Sequence, residues 1–320
     1  MFSLVTGGAG FIGSHLVDAL VAAGDRVTVI DNLSAGNEGN LAPHLARGQV
    51  RLVTADLLED GWQDEFSGLD RVFHLAADPD VRHGADNPES AFRNNIIGTY
   101  RVLEAMRKHG VHAVAFTSTS TVYGEAKAIP TPETYTPLEP ISVYGASKLA
   151  SEALISAYCH SFGMQAWVYR FANIIGSRGS HGVITDFIQK LRNDPTELEI
   201  LGDGRQSKSY LGVGECVSAM LFIAAHAKEP VNVFNIGSDD WIDVRTIADI
   251  VVEELGIRGV TYRFTGGERG WVGDVPRMQL AVEKLAALGW RPGYGSRESV
   301  RMSVRALIGI VPGMSGERRA

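Results

Sequence analysis

A tyrosine and a lysine one helical turn apart are the residues of this chain best suited to acid–base chemistry. The segment Tyr144-Gly-Ala-Ser-Lys148 opens a predicted helix after a proline-rich loop at 129–140, so the two side chains lie on one face. Tyrosine acts as a base near neutral pH only if its pKa falls by roughly 3 from about 10, which corresponds to about 4 kcal/mol of phenolate stabilisation. Lys148 and a second positive charge in a dry cleft would supply it. The alternative interpretation is an ordinary pair on a helix surface.

Hydroxyl side chains gather just upstream of this pair. The segment Phe116-Thr-Ser-Thr-Ser-Thr-Val-Tyr-Gly124 places them at the carboxyl end of a predicted buried strand. A hydroxyl group there can bridge a substrate and Tyr144. The alternative is that these threonines and serines only satisfy the turn at the end of the strand.

A glycine loop near the start of the chain predicts a dinucleotide cofactor. Thr6-Gly-Gly-Ala-Gly-Phe-Ile-Gly13 follows an apolar run and precedes a predicted helix at 14–23. Gly7 permits the tight turn, Gly10 lets the backbone approach a pyrophosphate, and Gly13 lets the helix pack on the strand. The helix N-terminus offers free N–H groups to the phosphates. The nicotinamide of NAD⁺ would then be the second positive charge beside the tyrosine.

An acidic residue at the end of the second strand favours NAD over NADP. The strand at 26–30 ends in Asp31, about 20 residues after the loop, where a carboxylate can accept both ribose hydroxyls and repel a 2′-phosphate. The alternatives are that Asp31 only forms a turn with Asn32, or that Arg26 or Arg47 reaches a 2′-phosphate.

Size, net charge, cysteine content and hydropathy limit the kinds of protein that this chain can be. The chain has 320 residues and is 45% hydrophobic, enough for a large core, and its net charge of −7 argues against nucleic acid as a partner. Cys159 and Cys216 fit neither a disulfide framework nor a zinc site, and we expect no metal and a reducing compartment. No apolar stretch is long enough to span a membrane, and the first residues read as a core strand rather than a signal peptide. We therefore expect a cytoplasmic protein with no membrane partner.

Strands and helices alternate up to about residue 170, which predicts a doubly wound parallel α/β sheet of the Rossmann type. We assign residues 1–170 to an NAD-binding domain, and 171–320 mainly to a smaller α/β lid that binds the substrate, with some segments returning to the first domain. In the second part we expect a hairpin-like turn at 198–204 and a frayed tail at 313–320. The predicted strands lie near 2–5, 26–30, 50–53, 70–75, 113–118, 164–170 and 232–235, and the later helices near 183–192, 214–228 and 243–255.

Taken together, these motifs resemble the extended short-chain dehydrogenase/reductase family, and more narrowly its NAD-dependent UDP-hexose 4-epimerases of the UDP-glucose/UDP-galactose and UDP-glucuronate types. The resemblance runs from residue 2 to about 292. Its motifs are TGGAGFIG at 6–13, Asp31, Asp56-Leu57, HLAA at 74–77, NNIIGT with Asn95, STSTVYGE at 118–125, YGASK at 144–148 and GWRP at 289–292.

The resemblance implies roles for individual residues. Tyr144 would be the base, Lys148 would hold the nicotinamide ribose and lower the tyrosine pKa, and Thr119 would occupy the catalytic Ser/Thr position. The cofactor-binding residues would be Gly7, Gly10, Phe11, Ile12, Gly13, Asp31, Asn32, Asp56, Leu57, Leu75, Ala76, Ala77, Asn95, Thr117, Tyr144, Lys148 and Tyr169. The substrate-binding residues would be Arg82, Thr119, Ser120, Tyr144, Asn173, Val183, Ile184, Leu201, Lys208, Arg269 and Asp274, with Lys208 and Arg269 on the diphosphate.

The reaction implied is epimerisation at C4 of a UDP-hexose. Tyr144 would take the proton of the 4-hydroxyl while hydride leaves C4 for NAD⁺; the 4-keto sugar would then turn over and be reduced from its other face. UDP-glucose/UDP-galactose is favoured because Ser180 stands where glucuronate-specific relatives often carry arginine, and UDP-glucuronate remains the alternative.

Two other functions are less favoured. A 4,6-dehydratase is disfavoured because Ser120 and Thr121 replace an acidic pair, and a non-catalytic NAD-sensing protein because the Tyr144 and Lys148 pair is retained. Ser177 also departs from the family pattern, which has proline there. The resemblance further implies a homodimer, formed through helices near 90–108 and 144–161.

Overall fold

The computed structural model describes residues 1–81, 86–271 and 273–310. The strands are β1 (Phe2–Thr6), β2 (Arg26–Asp31), β3 (Val50–Thr54), β4 (Arg71–His74), β5 (Ala113–Thr119), β6 (Gln165–Phe171), β7 (Asn173–Ile175), β8 (Glu197–Ile200), β9 (Ser207–Lys208), β10 (Tyr210–Gly212), β11 (Val231–Ile236), β12 (Ile242–Asp243), β13 (Thr261–Phe264) and β14 (Arg277–Met278).

Helices connect most of these strands. The α-helices are α1 (Phe11–Ala22), α2 (Ala42–Ala46), α3 (Pro88–Ala91), α4 (Gly98–His109), α5 (Val143–Phe162), α6 (Val183–Asn193), α7 (Val213–His226), α8 (Val244–Leu255), α9 (Glu283–Leu288) and α10 (Ser296–Ile310). Short 3₁₀ turns lie at Glu38–Asn40, Gln63–Phe66 and Ser120–Tyr123, and one π-helical turn spans Phe92–Ile97.

One parallel sheet of seven strands, in the order β11-β6-β5-β4-β1-β2-β3, forms the centre of the molecule. The chain runs outward from β1 in both directions, so a crevice opens at the carboxyl ends of β1 and β4, where the strand order reverses. This confirms the predicted doubly wound α/β sheet. The fold thereby places the ends of β1, β4 and β5 at one edge.

Two apolar layers cover the faces of the sheet. On one face Leu16 and Leu20 of α1 pack with Met220 of α7. On the other face Met106 of α4 and Ile155 of α5 pack against the sheet. Burial on both faces is what a parallel sheet requires, and it fixes the helices that carry the candidate site.

Local sequence sets the ends of α5. The Ser142 side chain accepts a hydrogen bond from the Gly145 amide at 3.0 Å, which caps the helix at its start. Gly163, with φ of +65°, ends the helix in a left-handed turn that disfavours residues with a side chain. The helix therefore begins immediately before Tyr144, as predicted.

The second part of the chain forms its own apolar cluster and also extends the central sheet. Phe187 of α6 packs with Ile247 of α8 and Val300 of α10. The strand β11 lies beside β6 in the central sheet. The division at residue 170 stays a prediction.

The expected hairpin at 198–204 was wrong. The strand β8 pairs in parallel with β13, more than 60 residues later, and not with the segment that follows it. Gly202 and Gly204, both with φ of +78°, lie in a turn after β8, and the segment that follows this turn does not pair with β8. The tail predicted at 313–320 lies outside the described residues. Across the described ranges, no helix is both long enough and apolar enough to cross a membrane.

Candidate active site

The glycine loop forms a cradle with no room for side chains. Gly7 has φ of +70°, and a Cβ there would lie 2.7 Å from the Ala76 amide nitrogen. A Cβ on Gly13 would lie 2.1 Å from the Gly7 carbonyl oxygen, so this glycine is required by the loop itself rather than by packing on the strand. Gly10 begins α1 without a side-chain cap. The first amides of the helix, at Phe11 and Ile12, therefore suit an anion such as a pyrophosphate.

Asp31 is held beside this loop. Its carboxylate is 7% exposed and accepts hydrogen bonds from the amides of Ala9 at 2.9 Å and Leu33 at 2.8 Å. Each oxygen keeps a further lone pair for a ribose hydroxyl. Arg26 begins the same strand and lies over the Phe2 ring at the opposite end, which removes it from the candidates for a 2′-phosphate.

The predicted adenine side of the site lies next to Asp31. Asn32 donates to the Asp56 carboxylate at 3.0 Å, and that carboxylate also accepts from the Leu58 amide at 2.8 Å. Leu57 between them is buried. This arrangement fixes the loops after β2 and β3 against each other.

Asn95 links the end of β4 to α5. Its Oδ1 accepts from the Asp78 amide at 2.7 Å, and its Nδ2 donates to Ser147 Oγ at 2.8 Å. It lies in the π-helical turn, a feature frequent at functional sites. Because the protein already satisfies its amide, we assign Asn95 to positioning the strand end occupied by Leu75, Ala76 and Ala77 rather than to direct cofactor contact.

Tyr144 and Lys148 meet the end of β5 at separate points. The Thr119 side chain lies near enough to Tyr144 to lower its pKa, and its hydroxyl oxygen accepts from the Thr121 amide at 3.1 Å. Lys148 Nζ donates to the Thr117 carbonyl at 2.9 Å. Lys148 is 3% exposed. The lysine thus holds the strand end, and the side chain of Thr119 lies near the tyrosine.

Burial shifts both titrating groups toward their neutral forms. It raises the pKa of Tyr144 to about 12, with the Thr119 hydrogen bond lowering the pKa and the Asp78 charge raising it. Burial also lowers the pKa of Lys148 to about 7, opposed by the charge of Glu152. The lowered tyrosine pKa expected from Lys148 is therefore absent from the protein alone, and it requires a further positive charge.

A cavity of about 310 Å³ opens beside the end of β5. It is bounded by the loop before α6, the first turn of α6, and the segment before β14. Six of the predicted substrate residues line it: Ser120, Asn173, Val183, Ile184, Lys208 and Asp274. Thr119 directly precedes Ser120 in the chain, but neither Thr119 nor Tyr144 is itself among the described residues that line the cavity.

Charge in this cavity is concentrated at Lys208. Its Nζ donates to Asp274 Oδ1 at 2.6 Å, and Asp274 is 3% exposed. Lys208 is the one lysine or arginine among the described residues that line the cavity. The N-terminus of α6 also faces this space, and Gly182 caps it without a side chain. Together these groups suit an anionic ligand.

Other predicted residues also lie outside the cavity lining. Arg269 donates to the Asp274 carbonyl at 2.7 Å and pairs with Glu125 at the rim. Among the described residues, neither Arg269 nor Leu201 belongs to the cavity lining. Tyr169 is fully buried, and its hydroxyl donates to the Met220 carbonyl at 2.9 Å, so its side chain is not available to a cofactor. Arg82 lies outside the described residues.

Several lining residues were not predicted from the sequence as substrate contacts. The Phe11 ring lines the cavity although its backbone belongs to the glycine loop, so one residue borders both the cofactor cradle and the cavity. Thr121, His181, Tyr210 and Trp271 line it as well. Their signals in the sequence are weak, because isolated aromatic and hydroxyl residues are common. The described residues contain no cluster of histidine, cysteine and acidic side chains suited to a metal ion.

Comparisons with known proteins agree with this geometry. The model of the NAD dependent epimerase/dehydratase family matches residues 3–237. A crystal structure of a UDP-galactose 4-epimerase has a TM-score of 0.87 at 44% identity, covering 96% of this chain and 98% of that one. The UDP-glucose 4-epimerase of Thermotoga maritima, solved with UDP-glucose, gives 0.86 at 34% identity, covering 96% and 98%. MoeE5, solved with UDP-glucuronic acid and NAD, gives 0.85 at 29% identity, covering 96% and 99%.

The cradle gives a first prediction. Gly13→Ala forces a methyl group against the Gly7 carbonyl, so we expect the free energy of unfolding to fall by about 1–3 kcal/mol. If NAD must then bind a displaced loop, its Kd rises by roughly tenfold or more for each 1.4 kcal/mol of distortion. Calorimetry with NAD⁺ measures this. Gly214→Ala, where a Cβ meets nothing within 4 Å, is the control, and equal affinity in the two variants would contradict the assignment of the cradle.

Proposed function

Because the chain belongs to the NAD dependent epimerase/dehydratase family, we propose that it is a UDP-hexose 4-epimerase that interconverts UDP-glucose and UDP-galactose. The observation that carries this proposal is that the end of β5 brings Thr119 near Tyr144 and is followed by Ser120, which lines a cavity that also contains Lys208. A base between a dinucleotide crevice and a sugar-binding cavity can exchange a proton with a sugar that is bound next to the dinucleotide.

The loop at 7–13 and Asp31 would hold NAD, which when bound would accept and return the hydride. The fit is favourable because the cradle excludes a Cβ at Gly7 and Gly13 and because Asp31 keeps free lone pairs. Lys148 lies beneath this crevice with its ammonium fixed on Thr117. Its buried charge favours the phenolate form of Tyr144 whenever the lysine is protonated.

Tyr144 carries the proton of the reaction. It takes the proton of the sugar 4-hydroxyl as C4 is oxidised and returns it after the sugar has turned over. Thr119 stabilises the phenolate through its hydrogen bond, which lowers the tyrosine pKa. One residue serves both halves of the reaction, since epimerisation consumes no net proton.

The cavity is suited to hold a diphosphate firmly and a hexose loosely. Lys208 and the start of α6 favour negative charge, and Asp274 keeps the Lys208 ammonium in place at 2.6 Å. The side chains of Ser120 and Thr121 near Thr119 are small, which leaves a 4-keto sugar free to rotate while its diphosphate stays bound.

The lining favours a neutral sugar and disfavours dehydration. Arg178 lies in the loop before α6 but donates to Asp18 at 2.8 Å and is not among the described residues that line the cavity. Ser120 and Thr121 offer no acid and base for the elimination of water across C5 and C6. UDP-glucuronate remains the second candidate substrate, because MoeE5 was solved with it and His181 lines the same cavity.

NMR spectroscopy of the purified protein tests the proposal. The protein is incubated, without added cofactor, with UDP-glucose, UDP-glucuronate and UDP-N-acetylglucosamine in separate tubes. We expect the 4-epimer with UDP-glucose. Conversion of UDP-glucuronate alone transfers the proposal to that substrate. The absence of any epimer after NAD⁺ is added, or a product that has lost water or carbon dioxide, contradicts it.

Tyr144→Phe is the matched variant for this assay. General acid–base catalysis contributes about 10²- to 10⁴-fold, so we expect a loss of that size in turnover. NAD binding should be retained, since the ring stays in place. Unchanged turnover would contradict the role of Tyr144.

We also propose that the protein is a homodimer formed through α4, α5 and the turn before α4. Phe92, Tyr100 and Phe162 on this face are 52%, 45% and 44% exposed. Exposed aromatic residues are enriched at interfaces between proteins. A second copy of this chain, packing helix against helix, would cover them.

Sedimentation measures this prediction. We expect a dimer for the wild-type chain and a monomer for Tyr100→Glu, which places a charge inside the proposed interface. Tyr294→Glu, at a residue 49% exposed elsewhere on the surface, should remain dimeric. A monomeric wild-type protein would contradict the proposal.

A further inference from the structure

Three consecutive residues at the end of β5, at 117–119, face three residues of α5 that are spaced four apart, at 144, 148 and 152. The Thr119 side chain lies near enough to Tyr144 to lower its pKa, and the Thr117 carbonyl accepts from Lys148. A third contact lies between them in β5 and one turn further along α5, where Ser118 Oγ donates to the Glu152 carboxylate. The first two contacts belong to the site described above. The third touches neither the cradle nor the cavity.

Glu152 is itself fixed by a buried ion pair. It is 8% exposed and accepts from Arg170 of β6, with 2.6 Å between Nη2 and Oε2 and 3.1 Å between Nε and Oε1. Arg170 is 5% exposed and also donates to the Tyr123 hydroxyl at 3.0 Å, which donates to Asn235 of β11 at 2.7 Å. The carboxylate therefore has a set position relative to three strands.

This arrangement limits the movement of α5 along the sheet. Apolar contacts such as those of Ile155 are non-directional and permit small shifts of a helix. A hydrogen bond to a fixed carboxylate does not, because it weakens steeply as its geometry changes. Displacing Glu152 would also separate a buried charge pair, which costs several kcal/mol.

We propose that Ser118 and Glu152 form a positioning pair that sets the register of α5 on β5 and thereby places Tyr144 for proton transfer. The inference rests on the proposed function for its kinetic consequences. Neither residue touches the substrate or cofactor. Their effect reaches the reaction through the helix that carries the tyrosine and through Thr119, the neighbour of Ser118 in β5.

Ser118→Ala tests the pair while leaving the Glu152 and Arg170 ion pair in place. We expect kcat to fall roughly ten- to a hundredfold, because a misplacement of the order of 1 Å can cost about that much. The KM for the UDP-sugar should stay within about twofold, since the cavity is untouched. Ser303→Ala is the control: Ser303 is a buried serine of α10 that donates to the Ser299 carbonyl at 2.8 Å, and its loss should leave kcat unchanged.

Two substitutions of Glu152 separate position from mere stability. Glu152→Gln keeps the length and an oxygen that accepts from Ser118, so kcat should remain within a few fold of wild type. Glu152→Asp shortens the side chain and should resemble Ser118→Ala. If Glu152→Gln fails to fold because Arg170 loses its counter-charge, Ser118→Ala decides alone. Wild-type kcat in Ser118→Ala, or an equal loss in Ser303→Ala, overturns the proposal.

Fluorine NMR provides a readout that needs no turnover. Protein labelled with 3-fluorotyrosine gives a Tyr144 resonance, assigned by its loss in Tyr144→Phe. We expect Ser118→Ala to shift this resonance and Ser303→Ala to leave it in place. If the wild-type protein converts no sugar but Ser118→Ala still shifts the Tyr144 resonance, the positioning pair stands and the epimerase proposal fails. An unshifted resonance overturns the pair whatever the activity.

Discussion

Desolvation of Tyr144 and Lys148 is the constraint on which the rest of the site depends. Burial raises the pKa of the tyrosine to about 12 and lowers that of the lysine to about 7. In the protein alone the raised pKa of Tyr144 leaves little phenolate near neutral pH, and the lowered pKa of Lys148 leaves only part of the lysine charged. A second positive charge beside Tyr144 favours its phenolate, because opposite charges in a dry cleft attract strongly, and the phenolate in turn favours the protonated form of Lys148. Under the proposed mechanism, Tyr144 would therefore act as a base only when a cationic cofactor is bound.

The sheet order brings that charge to the correct place. The strand β1 lies beside β4, and β4 beside β5, so the glycine loop, the HLAA segment and the hydroxyl-rich strand end share one edge. The contact between Gly7 and Ala76 leaves no space for side chains. A dinucleotide lying in this crevice passes next to the buried lysine. The return of β11 to the same sheet connects the cavity segments to this edge.

Local patterns predicted the parts of the site formed by short stretches of chain. The glycine loop, Asp31 and the spacing of Tyr144 and Lys148 depend on one strand, one loop or one helix turn each. The failures came from distant partners. Pairing of β8 with β13 replaced the expected hairpin, and Glu125 binds Arg269 from 144 residues away. Tyr169 was predicted to bind the cofactor, but its side chain faces the core. Alternate residues of a strand face opposite sides of the sheet, and in β6 it is Arg170 that faces α5.

The most direct test of this account is the pKa of Tyr144 in the NAD-loaded protein, measured by ultraviolet titration of tyrosinate with the Tyr144→Phe spectrum subtracted. The account predicts a midpoint well below the ordinary value of about 10, approaching neutrality, because the cofactor and Lys148 charges together stabilise the phenolate. A midpoint at or above 10 with NAD bound would contradict it.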